Sequence, residues 1–261
     1  MFAVRIKERP AERGVMTVRI DCASFTACGE REINEDRFGI TRLDNDNICL
    51  ALADGIGGEG MGYAAAELAV YAAEDVFRAF CGREDIIELI FEAAQKRILF
   101  EKTERRIRNT MKTTLAAAAV CGGRIYTGFI GDTRIYVYKN GSLVYKSCDH
   151  SLAGAYFKAG QISEESMNTH PDRNKLLRCL GEEWDSGSKY ELGFTGVLEQ
   201  GLAVLLCTDG FWGNIDDEMI KNSLRESVGA EEWLDKLGAA AGNGNREAVH
   251  DNYSAAAFIA V

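Results

Sequence analysis

The sequence predicts a layered α+β fold, because segments with strand character cluster together and segments with helical character come in pairs. Apolar and small residues recur at helical spacing over 62–80 and again over about 84–106. Between about 113 and 147 the chain instead shows short strand-like runs. The dipeptide Asn140-Gly141 joins two of these runs and is typical of a two-residue hairpin, so antiparallel pairing is expected.

The individual elements follow from the same patterns, taken in chain order. Short apolar runs predict strands at 18–25, 47–53, 113–121, 124–130, 133–138, 142–147, 202–207 and 253–261. Two further helices are predicted at about 216–227 and 230–241. Residues 151–181 have a helical but polar pattern, which favours an insertion over a core element.

Length, composition and charge indicate one soluble domain. The 261 residues include two prolines and no repeat or low-complexity segment, so we expect a single domain over 17–261. Residues 1–16 carry charges throughout and lack an apolar signal-peptide core. They are predicted to form a mobile leader, or else to be sequence upstream of a second start at Met16. The net charge of −10, without a Lys/Arg cluster, argues against nucleic acid or a membrane as partner. No apolar stretch approaches the roughly 20 residues of a membrane span, so a cytoplasmic location is expected.

The eight cysteines are expected to be reduced thiols, because none forms a Cys-x-x-Cys pair and most lie in apolar runs. The chain has three histidines and none lies near a cysteine pair. A Cys/His zinc site is therefore not expected.

Aspartates occur repeatedly next to predicted strand ends. Asp36, Asp54, Asp209 and Asp251 lie there beside Gly, Asn or Thr, and Asp132 lies between two strands. Any one of them is explained by a turn, because Asp bonds its own backbone and a neighbouring Gly tolerates positive φ. Five in one small domain indicate more, because carboxylates that converge at a sheet edge repel unless cations lie between them.

The ligand chemistry favours Mg²⁺ or Mn²⁺, because every candidate ligand is an oxygen. Two such ions about 3.5–4 Å apart can share a carboxylate and promote in-line attack of water on phosphorus. Calcium storage is the competing use, but no EF-hand loop is present. The glycines at 55, 57, 58, 60 and 62 lack the Lys-Ser/Thr and the spacing of a nucleotide-binding loop. They are better explained by close backbone approach to a metal.

Arg31 precedes Asp36 by five residues. It is either a surface charge paired with Glu30 or Glu32, or a bidentate clamp on a substrate phosphate beside the metals.

These motifs, in their order, resemble the metal-dependent protein phosphatase family of type 2C in its bacterial form. The resemblance covers the chain from about residue 20 to its end. The matching segments are GEREINED (29–36), ALADGIGGEGMG (51–62), MKTTLAAAAV (111–120), GFIGDTRIYVYKNG (128–141), DHSLAGAYFKAGQIS (149–163), HPDRNKLLRCLG (170–181), LLCTDGFWG (205–213) and HDNYSAAAFIAV (250–261).

The resemblance implies a four-layer α-β-β-α sandwich, with two antiparallel sheets between pairs of helices and metals at one edge. It implies that Asp54 bridges two metals and that the Gly55 carbonyl binds one. Asp209 and Asp251 would complete the coordination of the second ion, and Asp36 would contact the metals through bound water. The residues to which the resemblance gives a catalytic role are Arg31, Asp54 and Asp209.

Four further assignments follow from the resemblance. Asp132, together with Asp209, matches the position of a weaker third metal, so two or three Mn²⁺ or Mg²⁺ ions are expected. Arg31 matches the phosphate-binding arginine. Glu35 and Asn252 are candidates for the layer of side chains behind the ligands. Residues 150–181 match a mobile flap that tunes substrate choice.

One departure concerns the general acid. Eukaryotic relatives often carry His after the Asp-Gly, where this chain has Ile56. A metal-bound water, His150 or His170 would then have to protonate the leaving group.

The sequence therefore predicts a monomeric Ser/Thr phosphoprotein phosphatase that acts on proteins phosphorylated by a bacterial Ser/Thr kinase. One alternative is a phosphatase dedicated to an anti-sigma-factor antagonist, which differs only in its substrate. The other is an inactive phosphatase-like binding module. Loss of a metal-binding Asp would favour that module, and none is lost.

Overall fold

The computed structural model describes residues 18–57, 61–184, 189–242 and 251–261. The leader predicted at 1–16 lies outside these residues. In chain order the strands are β1 Ile20–Ala27, β2 Arg37–Arg42, β3 Ile48–Ala53, β4 Gly55–Ile56, β5 Lys112–Thr113, β6 Leu115–Cys121, β7 Arg124–Ile130, β8 Arg134–Lys139, β9 Ser142–Lys146, β10 Glu191–Val197, β11 Leu202–Cys207 and β12 Tyr253–Ala260. The helices are α1 Met61–Phe80, α2 Ile86–Glu104, α3 Leu152–Lys158, α4 Glu164–Asn168, α5 Asp209–Trp212, α6 Asp217–Arg225 and α7 Ala230–Gly242.

Two five-stranded antiparallel sheets form the centre of the molecule. One has the order β1-β12-β11-β8-β9 and the other β10-β7-β6-β3-β2. Helices α1 and α2 cover the second sheet, whereas α5, α6 and α7 cover the first. This arrangement confirms the predicted α-β-β-α sandwich.

Strand β3 shows why the central strands read as continuous apolar runs. All six of its residues are buried. Ile48, Leu50 and Leu52 pack between the two sheets, and the alternate residues Cys49 and Ala51 pack under the helices. Because side chains alternate between the faces of a sheet, a strand covered on both faces needs apolar residues at every position.

The predicted hairpin is confirmed. Strands β8 and β9 pair across Lys139 and Ser142, and the two loop residues have positive φ angles, 50° at Asn140 and 70° at Gly141. These angles match a type I′ turn, in which Asn-Gly is favoured.

Three strands were absent from the prediction: the two-residue β4 and the longer strands β2 and β10. β2 and β10 are the edge strands of the second sheet. β2 mixes buried, half-buried and exposed positions, and β10 has only half-buried and exposed ones. Edge strands need no continuous apolar run, so their sequences resemble loops. The prediction over 151–181 was too helical, because only α3 and α4 form there.

Across the described ranges, none of the helices combines the length and apolar character that a bilayer span requires. All eight cysteines are free thiols, of which four are buried and four half-buried.

Candidate active site

The sheet registers bring the five predicted aspartates to one end of the sandwich. In the first sheet, the end of β11 lies beside the starts of β8 and β12, with pairs Cys207–Arg134 and Cys207–Ala255. In the second sheet, the end of β3 lies beside the start of β2, with the pair Ala53–Arg37. The aspartates that flank these strand ends are Asp36, Asp54, Asp132, Asp209 and Asp251. We call this set the acidic edge.

The backbone of Asp54 is fixed by two threonines. The Asp54 N–H donates to Thr114 Oγ1 at 2.9 Å, and the Asp54 carbonyl accepts from Thr114 N at 2.9 Å and from Thr113 Oγ1 at 2.8 Å. The Thr114 hydroxyl also lies 2.6 Å from the hydroxyl of Thr133, the neighbour of Asp132. The two threonines therefore couple Asp54 to the loop that carries Asp132.

Gly55 occupies a place that no other residue fits. A Cβ at Gly55 would lie 2.3 Å from the backbone carbon of Gly62 and 2.8 Å from the carbonyl oxygen of Glu35. Gly62 belongs to the first turn of α1, so the glycine lets the loop after β3 pass against the start of that helix. Gly58 and Gly60, which the metal-approach hypothesis also included, lie outside the described residues.

The acidic edge is electrostatically unfavourable without cations. Asp36 and Asp132 are only 2% and 5% exposed, whereas Asp54 and Asp209 are half-buried. Burial raises the pKa of Asp36 to about 7. The charges of Asp209 and Asp251 add to this rise, and hydrogen bonds to the carboxylate reduce it. Burial and then the charges of the other four carboxylates raise the pKa of Asp54 well above its usual range.

The same causes act on Asp132 and Asp209. Burial and then Asp209 raise the pKa of Asp132, and burial and then Asp251 raise the pKa of Asp209. Interaction with the Asp54 carboxyl group partly counteracts this rise at Asp209. A set of carboxylates in this state binds protons or cations.

The donor set fits Mg²⁺ or Mn²⁺. The buried Oδ1 of Asp36 has no hydrogen-bond partner among the described residues, while Oδ2 accepts from Thr208 Oγ1 at 3.0 Å. In the same ranges no three His, Cys, Asp or Glu side chains converge tightly enough to enclose an ion by themselves. An open, carboxylate-rich edge of this kind suits ions that use one or two carboxylates and keep several waters.

Arg31 lies at the acidic edge. Its Nη2 donates to Asp251 Oδ2 at 3.0 Å, and the two side chains are 58% and 38% exposed. The bond to Asp251 and its charge raise the pKa of Arg31, and Asp209 and Asp54 contribute further. The guanidinium is therefore within electrostatic reach of three of the predicted metal ligands.

Asn252 organises the loop that carries Arg31. Its Oδ1 accepts from the backbone N–H of Glu35 at 2.8 Å, and its Nδ2 donates to the carbonyls of Cys28 at 2.9 Å and Ile33 at 3.1 Å. The Glu35 carboxylate in turn accepts from Tyr63 N at 3.4 Å, in the first turn of α1. Both candidates for the layer behind the ligands thus connect elements of the acidic edge.

Of the two candidate histidines, His150 lacks the features of a general acid. His150 is buried against Phe129, with ring centroids 4.6 Å apart, and burial lowers its pKa to about 4. It is therefore neutral near pH 7 and holds no imidazolium proton to donate. His170 Nδ1 accepts from Asp172 N at 3.1 Å, and its ring meets the edge of Tyr156.

Residues 150–181, the segment matched to a flap, border a groove that was not predicted. A cavity of about 900 Å³ lies between α4, residues 169–174 and the start of α6. Arg173 in this segment lowers the pKa of Asp209, so its positive charge reaches the acidic edge. Arg134, on the opposite wall, pairs with Asp149 and lies 3.5 Å from the ring centre of Trp212. No local sequence signal marks these contacts, because they join residues from separate elements.

This fold is that of a known class of enzyme. The chain matches the family model described as Protein phosphatase 2C over residues 28–250, and it belongs to that family. The serine/threonine phosphatase stp of Listeria monocytogenes is 30% identical over 227 residues, which cover 82% of this chain and 88% of that protein.

Solved structures agree with the assignment. The Mycobacterium tuberculosis serine/threonine phosphatase PstP/Ppp superposes with a TM-score of 0.80 at 26% identity, covering 93% of this chain and 99% of the other. A catalytic domain of PstP in complex with two manganese ions superposes with a TM-score of 0.78 at 24% identity, covering 94% and 100%. At that identity the second likeness supports the fold.

Proposed function

We propose that this chain hydrolyses phosphoserine and phosphothreonine in proteins, in opposition to a Ser/Thr kinase, and that it requires Mn²⁺ or Mg²⁺. The observation that carries the proposal is the acidic edge, where five aspartates lie around one end of a type 2C fold. The relative named serine/threonine phosphatase stp and the manganese-bound PstP domain support the substrate class and the metal.

Each residue of the acidic edge has a distinct task in the proposal. Asp54, the Gly55 carbonyl, Asp209 and Asp251 would hold two ions, Asp36 would act through water, and Asp132 with Asp209 would hold a third. Divalent cations at this place supply an activated water and neutralise charge on the phosphoryl group.

Arg31 would leave Asp251 and bind two phosphate oxygens. The planar guanidinium matches a phosphate in a bidentate way, and its 58% exposure leaves it accessible to substrate. Asn252 would keep Arg31 in reach by holding both ends of its loop. Because Ile56 and His150 provide no acidic proton near pH 7, we assign protonation of the leaving group to water, with His170 as the alternative.

Hydrolysis of p-nitrophenyl phosphate and of a phosphothreonine peptide tests this proposal. Activity should vanish in EDTA and return with Mn²⁺ or Mg²⁺, because oxygen-only sites release these ions readily. Full activity after exhaustive chelation would refute the metal requirement. Turnover of p-nitrophenyl phosphate without turnover of any phosphopeptide would refute the general protein substrate and favour a narrow one, such as an anti-sigma-factor antagonist.

The monomeric state, the cytoplasmic location, the partner kinase and the single domain over 17–261 stay predictions from the sequence. So does the absence of nucleic-acid and membrane partners. A phosphoproteome comparison of cells with and without the protein would identify the substrates and, through them, the kinase.

A further inference from the structure

A second cavity is lined in part by Lys112 of β5, the strand that pairs with Gly55 and Ile56. It has a volume of about 810 Å³ and forms where the loop between α2 and β5 meets the segment that ends the flap. We call it the basic cleft, because its charged lining residues are Lys102, Arg106, Arg108, Lys112, Glu182 and Glu183. The cleft thus has four cationic and two anionic side chains, whereas the whole chain has a net charge of −10.

The cations of the cleft are incompletely neutralised. Lys112 forms a salt bridge with Glu182. The guanidinium groups of Arg106 and Arg108 are exposed and form no hydrogen bond or ion pair with any residue that the structure describes. Unpaired arginines that share a concave surface provide the forked donors with which proteins bind phosphate.

Lys102 is the buried member of the set. It is 7% exposed, and its Nζ donates to the carbonyl of Gly181 at 2.6 Å. Within 4 Å of its ammonium group there is no carboxylate from the described ranges. Burial and the charge of Lys112 lower its pKa. A buried ammonium next to a second cation is costly, and an anion in the cleft would relieve that cost.

The backbone around the cleft is also unusual. Arg106 and Met111 have positive φ angles of 58° and 65°, and among the described residues the third non-glycine with positive φ is Asn140 of the hairpin. Strained backbone of this kind persists where the surroundings impose it and occurs often at binding sites.

The cleft adjoins the strand that positions Asp54 and Gly55. Lys112 pairs with Ile56, and Thr113 pairs with Gly55. Thr113 also exchanges two backbone hydrogen bonds with Leu180, next to the cleft residue Gly181, and its hydroxyl donates to the Asp54 carbonyl. A ligand that contacts Lys112 is thus adjacent to Thr113, which holds the backbone of Asp54.

We propose that the basic cleft binds a small phosphate-bearing anion, with a di- or polyphosphate group as the recognised chemistry. The volume lies in the range of small-molecule sites. No aromatic side chain is among the described residues that line it, so a nucleoside base would find no stacking partner there. The four cations and the arginine forks favour pyrophosphate over orthophosphate, because the larger anion can engage more of them.

Calorimetric titration of sodium pyrophosphate into the full chain, in EDTA and at constant ionic strength, tests the proposal. The chelator removes any cation from the acidic edge, so binding there does not contribute. We expect saturable binding of one pyrophosphate, at least about tenfold tighter than that of orthophosphate. Undetectable binding, or equal affinity for the two anions, would overturn the proposal.

Variants that remove positive charges test whether pyrophosphate binds in the basic cleft. Arg106→Gln/Arg108→Gln removes two exposed cations of the cleft and should weaken binding at least about tenfold. The matched control Arg78→Gln/Arg225→Gln removes two exposed cations elsewhere, and Arg31→Ala removes the predicted phosphate clamp of the acidic edge. Both should bind within twofold of the unmodified chain. Equal losses in the cleft variant and the matched control would refute a specific site.

Hydrogen exchange tests the link to Asp54. Pyrophosphate should slow exchange of the amides of Thr113 and Leu180, which carry the hydrogen bonds between β5 and the end of the flap. This readout and the titration need no turnover, so they are independent of whether the chain is a phosphatase. Unchanged exchange at both amides would refute the coupling to the acidic edge.

Discussion

Two groups of buried carboxylates in this molecule differ in how their charge is compensated. Asp149 is 3% exposed and pairs in a bidentate way with the equally buried Arg134, at 2.8 Å for both hydrogen bonds. Asn168 and the Trp212 ring complete the surroundings of that arginine. Asp36 and Asp132 are as deeply buried, yet neither forms an ion pair with any residue of the described chain.

The difference indicates what each carboxylate is for. At Asp149 the protein supplies the cation from its own sequence, which fixes the flap against β8. At the acidic edge the repulsion is left in place, and the orphaned Oδ1 of Asp36 remains available. The proposed binding of divalent cations at the acidic edge accounts for this difference.

The largest effect that tests this comparison is on stability. Asp149→Asn should lower the free energy of unfolding by about 3–5 kcal/mol, because it leaves Arg134 buried without its counter-charge. Asp36→Asn should not destabilise the metal-free protein, since Asn keeps an acceptor for Thr208 and removes a repelling charge. Urea unfolding in EDTA at pH 8 measures both. Similar losses in the two variants would mean that the two groups of carboxylates are equivalent.

The next effect is on turnover. Asp54→Ala and Asp209→Ala should each reduce kcat at least about a hundredfold, or roughly 2.7 kcal/mol in transition-state stabilisation. Each removes a carboxylate from the centre of the acidic edge. Asp235→Ala, at an exposed position of α7, is the matched control and should retain full activity. More than about a tenth of the original kcat in either site variant would contradict the assignment.

A smaller effect is expected from the metal itself. Mn²⁺ at ten times its dissociation constant should raise the free energy of unfolding of the unmodified protein by about 1.4 kcal/mol per site. Asp54→Ala should lose most of this gain, whereas Asp149→Asn should keep it. Thermal unfolding with and without Mn²⁺ measures the difference, and an equal gain in Asp54→Ala would place the metal elsewhere.

The smallest effect concerns Arg31. Arg31→Ala should raise KM for a phosphopeptide about fivefold, near 1 kcal/mol for a largely exposed contact, and should change kcat less than the aspartate variants do. Arg31→Lys should not restore KM, because an ammonium group lacks the planar fork. KM and kcat both within twofold of the unmodified values would remove Arg31 from the site.

Local sequence was sufficient for the aspartates of the acidic edge and for the central strands. Asp54 and Asp209 follow fully buried strands, β3 and β11, whose apolar runs and adjoining Asp-Gly are visible without a structure. The Asn140-Gly141 turn was equally visible, because the dipeptide itself favours the required φ angles.

Other features depend on contacts between distant residues. Asn252 forms a hydrogen bond with Glu35, which lies 217 positions away in the sequence. Arg134 forms hydrogen bonds with Asp149, which lies outside its own strand. Strands β2 and β10 belong to the sheet because they pair with β3 and β7, not because of an apolar pattern. Such features are determined by topology and cannot be inferred from spacing alone.

Counting bound manganese tests the central claim most directly. The unmodified protein, freed of metal and then titrated with Mn²⁺ while free ion is followed by electron paramagnetic resonance, should bind at least two ions. Asp54→Asn should lose at least one of them, and Asp235→Asn should lose none. No binding by the unmodified protein, or the same stoichiometry in Asp54→Asn, would show that the acidic edge is not compensated by divalent cations.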